Sequence, residues 1–163
     1  MGDSPKENRW SEEDIFRKEF SINAGRMLKG LFYYKNEVCL YAPSSLLSRD
    51  FYSFENIKKE RKEKYIGRID LLFNYKEILY CGEIKYQPFA GSDFWDALKI
   101  IGYTSYYKWQ QECFGEEIYP KSAIFMPFKR IKMEHKILAG RLGIIIFGIE
   151  KTEEGYKVIP VNL

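Results

Sequence analysis

Two apolar runs of strand length carry charges that need a reason. Gly67-Arg68-Ile69-Asp70-Leu71-Leu72-Phe73 contains Asp70, and Cys81-Gly82-Glu83-Ile84-Lys85-Tyr86 contains Glu83 and Lys85. Glu83 and Lys85 are two positions apart, so in a strand they point to one face with Cα atoms about 7 Å apart. Asn74, Tyr75, Lys76 and Glu77 form a connection of hairpin length, which makes the two runs antiparallel neighbours. An even-length connection from Phe73 to Ile78 matches every even position with an odd one. Asp70 is then expected opposite Cys81 and diagonal to Glu83, on the same face. An odd-length turn or a bulge would break that geometry.

Two carboxylates beside a lysine suit phosphodiester hydrolysis. Asp70 and Glu83 are oxygen ligands of the kind that bind Mg²⁺ or Mn²⁺, with Mg²⁺–oxygen distances of about 2.1 Å. Lys85 has three open roles: orienting the attacking water, helping to deprotonate it, or neutralising charge on the phosphorane. The competing explanation is a surface ion pair between Glu83 and Lys85 on a half-exposed strand. Asp70 on the hairpin partner argues against it.

The elements that would position these residues are legible on either side. Ser11 followed by Glu12, Glu13 and Asp14 is a helix start with acids in the first turn. Ile15, Phe16, Phe20, Ala24, Met27, Leu28 and Leu31 follow at helical spacing, so a helix is expected from about Ser11 to Lys29. A short strand, Glu37 to Tyr41, comes next, then a polar connection or short helix over Ala42 to Lys64. Strands Tyr65 to Phe73 and Ile78 to Tyr86 are followed by a helix from Ser92 to about Phe114. Its expected buried stripe is Phe94, Trp95, Leu98, Ile101, Tyr106 and Trp109. Strand Lys121 to Pro127, helix Arg130 to Ala139, an apolar strand Gly143 to Ile149 and an edge strand Tyr156 to Val161 complete the order αβββαβαββ. An apolar strand buried on both faces points to an α/β fold with a mixed central sheet flanked by helices. The chain length of 163 residues is that of one domain, 1–163.

At Asp70 and Glu83-Ile84-Lys85 the chain resembles the PD-(D/E)XK nuclease superfamily, which includes many restriction enzymes and Holliday-junction resolvases. That signature is an acid near the end of one strand and an (Asp/Glu)-X-Lys triplet in the next. Position 69 is Ile where the motif name has Pro. The family core αβββαβ matches the order above over roughly Ser11 to Ile149, so the resemblance implies a restriction-endonuclease-like fold and a Mg²⁺- or Mn²⁺-dependent DNA nuclease. It also implies a metal-holding Glu in the first helix, for which Glu19 with Gly30 has the family spacing and Glu12 or Glu13 are alternatives. After the third core strand, many members that process DNA ends carry Gln-X-X-X-Tyr near the site. Here Lys99-Ile100-Ile101-Gly102-Tyr103 occupies that place without the Gln.

DNA as partner requires basic surface. Lys58, Lys59, Arg61, Lys62 and Lys64 form one cluster, and Lys129, Arg130 and Lys132 another at a helix start. Glu60 and Glu63 within the first cluster also fit an ordinary solvated face. The net charge of +3 decides nothing, and no motif for sequence-specific base reading is visible. A non-catalytic nucleic-acid-binding or assembly protein on the same fold is the alternative function. Cleavage of both strands of a duplex would favour a two-fold homodimer.

Other chemistries are excluded or unsupported. The one histidine, His135, rules out a zinc site built on two of them, and Cys39, Cys81 and Cys113 are too dispersed for a zinc or disulfide framework. The cysteines are expected as reduced core thiols and His135 as a packing or surface residue. No apolar run reaches membrane-spanning length and the N-terminal residues lack a signal-peptide core, so a cytoplasmic protein without membrane contact is expected.

Overall fold

A computed structural model of the chain describes residues 11–41, 65–86 and 93–162. The basic cluster Lys58, Lys59, Arg61, Lys62 and Lys64 lies outside the described residues. The first helix, α1 (Glu12–Met27), starts as its sequence dictates, with Ser11 Oγ accepting the Asp14 N–H at 3.1 Å. Phe16, Phe20, Ala24 and Met27 form its buried face, while Ile15 stays 40% exposed. Strands β1 (Leu31–Tyr41), β2 (Tyr65–Tyr75) and β3 (Ile78–Ile84) follow, then helices α2 (Asp93–Ala97) and α3 (Ile100–Cys113). Strand β4 (Lys121–Pro127) leads through a 3-10 turn, Phe128–Arg130, to α4 (Met133–Leu142), β5 (Ile145–Thr152) and β6 (Gly155–Pro160).

All six strands join one sheet in the order β1-β2-β3-β4-β5-β6. The β3–β4 and β4–β5 pairs are parallel and the others antiparallel, so the protein is α/β with a mixed sheet flanked by helices. Parallel neighbours need a crossover, which α2 and α3 supply between β3 and β4, and α4 between β4 and β5. α1 packs on one face against Leu71, Phe73, Phe125 and Phe147. Phe94, Ala97 and Ile100 of α2 and α3 with Ala139 of α4 cover the other, over Leu72, Cys81, Ile124 and Ile146. Among the described residues no helix is long and apolar enough to cross a membrane.

The strand expected over Glu37 to Tyr41 begins at Leu31, right after the turn that ends α1, and the strand expected to reach Tyr86 ends at Ile84, so Lys85 follows β3. Three further expectations shift. The helix expected over 92–114 breaks at Leu98-Lys99. Of its expected stripe Phe94 is buried, Leu98, Ile101 and Tyr106 are partly buried against the same core and Trp95 is 52% exposed, while Ala97, Ile100 and Thr104 are buried as well. The helix expected from Arg130 begins at Met133, after the 3-10 turn. Only Cys81 is a core thiol; Cys39 is exposed and Cys113 partly so. His135 is a packing residue, buried and stacked on Phe94 at 4.5 Å, with Nδ1 accepting the Lys132 N–H.

The aromatic centre of the α1 face fixes β3. Phe125 stacks on Phe147 at 4.9 Å and meets Phe73 edge-on at 5.2 Å. Gly82 lies under these rings: a Cβ there would come within 3.0 Å of Phe125 Cε1 and 3.1 Å of Phe73 Cε1. Interiors packed this closely accept an added methyl only by moving neighbours. Gly82→Ala should therefore destabilise the protein by about 1–3 kcal/mol, read as a lower urea midpoint with unchanged slope. A midpoint equal to or above the wild type's would show that the rings have room.

Candidate active site

The β2–β3 hairpin sets the register of the charged residues. Its turn is the two-residue Lys76-Glu77, with φ of 51° and 66°, the left-handed pair that a tight type I′ connection requires. Asn74 and Tyr75, expected in the turn, are in the strand, pairing with Leu79 and Ile78. The connection is two residues shorter than expected and still even, so parity is kept while the register moves by two. Cys81 faces Leu72, and the last ladder pair is Leu71 with Gly82. Asp70 and Glu83 both lie just past this last pair, where the ladder no longer fixes their register.

Beyond Leu71 the two strands part. Asp70 Oδ2 accepts the Ile84 N–H at 2.9 Å, so a side chain takes the place of the lost backbone partner. Across on β1, Glu37 sits between the pairs Asn36–Leu71 and Val38–Ile69 with φ of 52°, a conformation rare for a non-glycine residue in a strand. Leu71 packs in the α1 layer and Ile69 in the opposite one, so the alternation of β2 inverts at Asp70. The resulting cleft at the fork, about 360 Å³, takes residues from both layers: Glu13 from α1, Lys99 and Tyr103 from the start of α3. Asp70, Glu83, Lys85 and Arg68 line it as well.

Asp70 and Glu83 are buried, at 6% and 4% exposure. Glu83 Oε2 lies 3.6 Å from both Lys85 Nζ and Lys99 Nζ. Lys85 is bonded more closely to Asp96 of α2, at 2.5 Å. Asp70 Oδ1 accepts from Arg68 Nη2 at 3.1 Å. Burial, reinforced by Asp70, pushes the Glu83 carboxyl up to about 7 against the pull of Lys99 and Lys85. Burial also raises Glu13, whose Oε1 accepts the Tyr86 N–H at 3.1 Å. For Lys85, desolvation works toward a lower value, and the bond to Asp96 and the charge of Glu83 outweigh it, so its ammonium is held charged.

The expected residues Asp70, Glu83, Lys85, Lys99 and Tyr103 thus share one cleft. Tyr103 is set against β2 so closely that a Cβ on Gly67 would lie 2.3 Å from its Cζ, so a side chain there would displace the tyrosine ring. Glu19 is not among them. It accepts from Asn23 Nδ2 and lines a separate hollow near Tyr156. Glu12 and Glu19 are seven residues apart and share the helix side facing Tyr156, where Glu12 accepts the hydroxyl proton, while Glu13, 100° further round, reaches the fork. Lys129, Arg130 and Lys132 lie on the 3-10 turn and the start of α4. Lys129 borders another hollow, with Tyr86 and Lys151. Sequence alone does not single out Arg68 or Asp96, although Arg68 is only two positions from Asp70, whose Oδ1 it meets.

Oxygen donors alone, two of them buried and facing a cleft, fit a hard divalent cation better than zinc. Among the described residues no three His, Cys, Asp or Glu side chains stand together as a ready metal cage. Asp70 Oδ1 instead meets Arg68, and Glu83 Oε2 meets Lys85 and Lys99. Comparison of the chain with protein-family models, curated proteins and solved structures finds no match in any of the three.

A carboxyl whose folded value exceeds its unfolded 4.5 binds more protons in the native state, so its ionisation costs stability as pH rises from about 4.5 through about 7. Glu83→Gln should accordingly be more stable than the wild type at pH 8, with the difference vanishing near pH 4. Urea midpoints at the two pH values read it. A variant less stable at pH 8 would mean that the lysine pairs outweigh burial.

Proposed function

We propose that the chain is a metal-dependent nuclease hydrolysing DNA phosphodiester bonds, with a restriction-endonuclease-like fold of the PD-(D/E)XK type. The observation that carries this reading is the convergence of Asp70, Glu83 and Lys85 at one fork with Glu13 at its rim. Two buried acids without function would cost stability, since burial already disfavours the charged form of Glu83. The order α1-β1-β2-β3, a helical crossover and β4 supports the same reading.

Asp70 and Glu83 are the residues that would hold Mg²⁺ or Mn²⁺, with Glu13, rather than Glu19, as the acid from the first helix. A bound divalent cation supplies Lewis acidity toward a phosphoryl oxygen and toward water. The Ile84 N–H fixes Asp70 Oδ2, so that acid is oriented before any ligand arrives. Lys85, held by Asp96, keeps its ammonium beside Glu83, where it donates to a water or to a non-bridging phosphoryl oxygen. Lys99 adds a second positive charge against the transferred phosphoryl group. Hydrolysis adds water across one P–O bond, and the leaving oxygen takes the proton the water gives up. DNA docking would use the basic residues on the 3-10 turn and the start of α4 together with the cluster at Lys58 to Lys64.

Cleavage of labelled DNA should require Mg²⁺ or Mn²⁺ and stop with EDTA. Asp70→Ala and Lys85→Ala should each lower the rate by about a hundredfold or more, in the range seen for loss of one acid–base or electrostatic group. The first should weaken metal binding and the second leave it largely in place. A wild type that binds DNA and cuts no duplex, single-stranded, flap or junction substrate with any divalent ion would replace the enzyme with a nucleic-acid-binding module.

A further inference from the structure

The two acids of the cleft are not equally open to a ligand. Asp70 has both oxygens engaged: Oδ2 by the Ile84 N–H at 2.9 Å and Oδ1 by Arg68 Nη2 at 3.1 Å. The first bond is built into the backbone. The second is to a long side chain that is 39% exposed and lines the cleft. Arg68 also reaches Glu37 Oε1, at 3.4 Å, and Glu37 is itself anchored to Arg17 at 2.9 Å. The guanidinium therefore has a second carboxylate at hand if it leaves Asp70. Glu37 holds this place with a left-handed backbone, a conformation that persists only where the surroundings fix it.

Resting on the reading of this cleft as a metal and phosphodiester site, we propose that Arg68 is a phosphate-binding residue that blocks Asp70 against a divalent cation until a phosphodiester draws it away. A guanidinium presents several N–H donors in a planar fork that suits phosphate as well as carboxylate. A phosphodiester entering the cleft offers Arg68 an anion in place of Asp70 and returns Oδ1 to the cation. Cation and phosphate then bind with positive coupling through one side chain, and by linkage each strengthens the other equally. The consequence is a protein that takes up metal poorly when free and well on nucleic acid.

The test is Mn²⁺ binding followed by electron paramagnetic resonance. Wild-type full chain, Arg68→Ala and Arg68→Met are titrated alone and with an oligothymidylate carrying phosphorothioate linkages or neutral methylphosphonate linkages. Arg68→Met keeps the length of the stem in case the shorter variant fails to fold. In the absence of oligonucleotide, removal of the guanidinium should tighten Mn²⁺ binding roughly tenfold, within the usual range of such couplings. The charged oligonucleotide should tighten Mn²⁺ binding to the wild type by a similar factor and the neutral one should not. In either variant that enhancement should be largely lost. A folded variant that binds Mn²⁺ no better than the wild type overturns the proposal, as does a wild type indifferent to the charged oligonucleotide. Absence of Mn²⁺ binding in every sample removes both this proposal and the metal-dependent reading. Mn²⁺ uptake as described by a protein that cleaves nothing removes the nuclease and leaves Arg68 in this role.

Discussion

Where β2 and β3 part, the backbone N–H of Ile84 has no strand partner on the β2 side, and Asp70 Oδ2 takes it at 2.9 Å. A buried N–H left unpaired would cost on the order of 1–3 kcal/mol, so the fork needs an acceptor at this position. An aspartate supplies it with one oxygen and keeps the other for the cleft. The rest of the site follows from this bond. It holds Asp70 at the point where the ladder ends, beside the gap that α1 and the start of α3 both reach, in the cleft that Glu83 also lines.

Such a fork concentrates charge where the fold can least solvate it. Glu13, Asp70 and Glu83 meet Arg68, Lys85 and Lys99 in about 360 Å³. Asp70 is paired with Arg68 and Glu83 with Lys85 and Lys99, while Glu13 is held by the Tyr86 N–H. Each acid of the cleft thus has a partner, and a buried charge without one would be far more costly than the pairs themselves. The balance is uneven in detail. Glu83 shares two lysines at 3.6 Å and still has its carboxyl pushed up to about 7. The strained Glu37 and the exposed Asp96 stand outside the cleft and hold its cations from behind.

The parts of this arrangement legible in the sequence are those that depend on period rather than on length. The nearness of Glu83 and Lys85 follows from their two-residue separation, although β3 ends at Ile84. The even turn brings Asp70 to the end of the same hairpin, although the alternation of β2 inverts there. The register itself was hidden because Lys76-Glu77 adopts a turn that glycine or asparagine usually marks. For the first-helix acid the family resemblance offers only a spacing, which favours Glu19 over Glu12 or Glu13. Which of Glu12, Glu13 and Glu19 faces the fork depends on how α1 rolls on the sheet, and Phe16 and Phe20 set that roll through their ring contacts with Phe125. The break at Leu98-Lys99 has no proline or glycine to announce it, so a continuous helical period carries the expected stripe through Trp95. Arg68 lacks a signal because an arginine in a strand reads as solvated until its partners, Asp70 on the same strand and Glu37 on β1, are known.

The central claim, that the fork of β2 and β3 is built to hold a divalent cation, is tested most directly by anomalous scattering from crystals of the protein grown with Mn²⁺ and a charged phosphorothioate oligonucleotide. The account predicts one strong peak in the cleft, in contact with carboxylate oxygens of Asp70 and Glu83, and its loss in Asp70→Ala. A cleft without a peak, or a peak held by other acids with Asp70 still bonded only to Ile84 and Arg68, would contradict it.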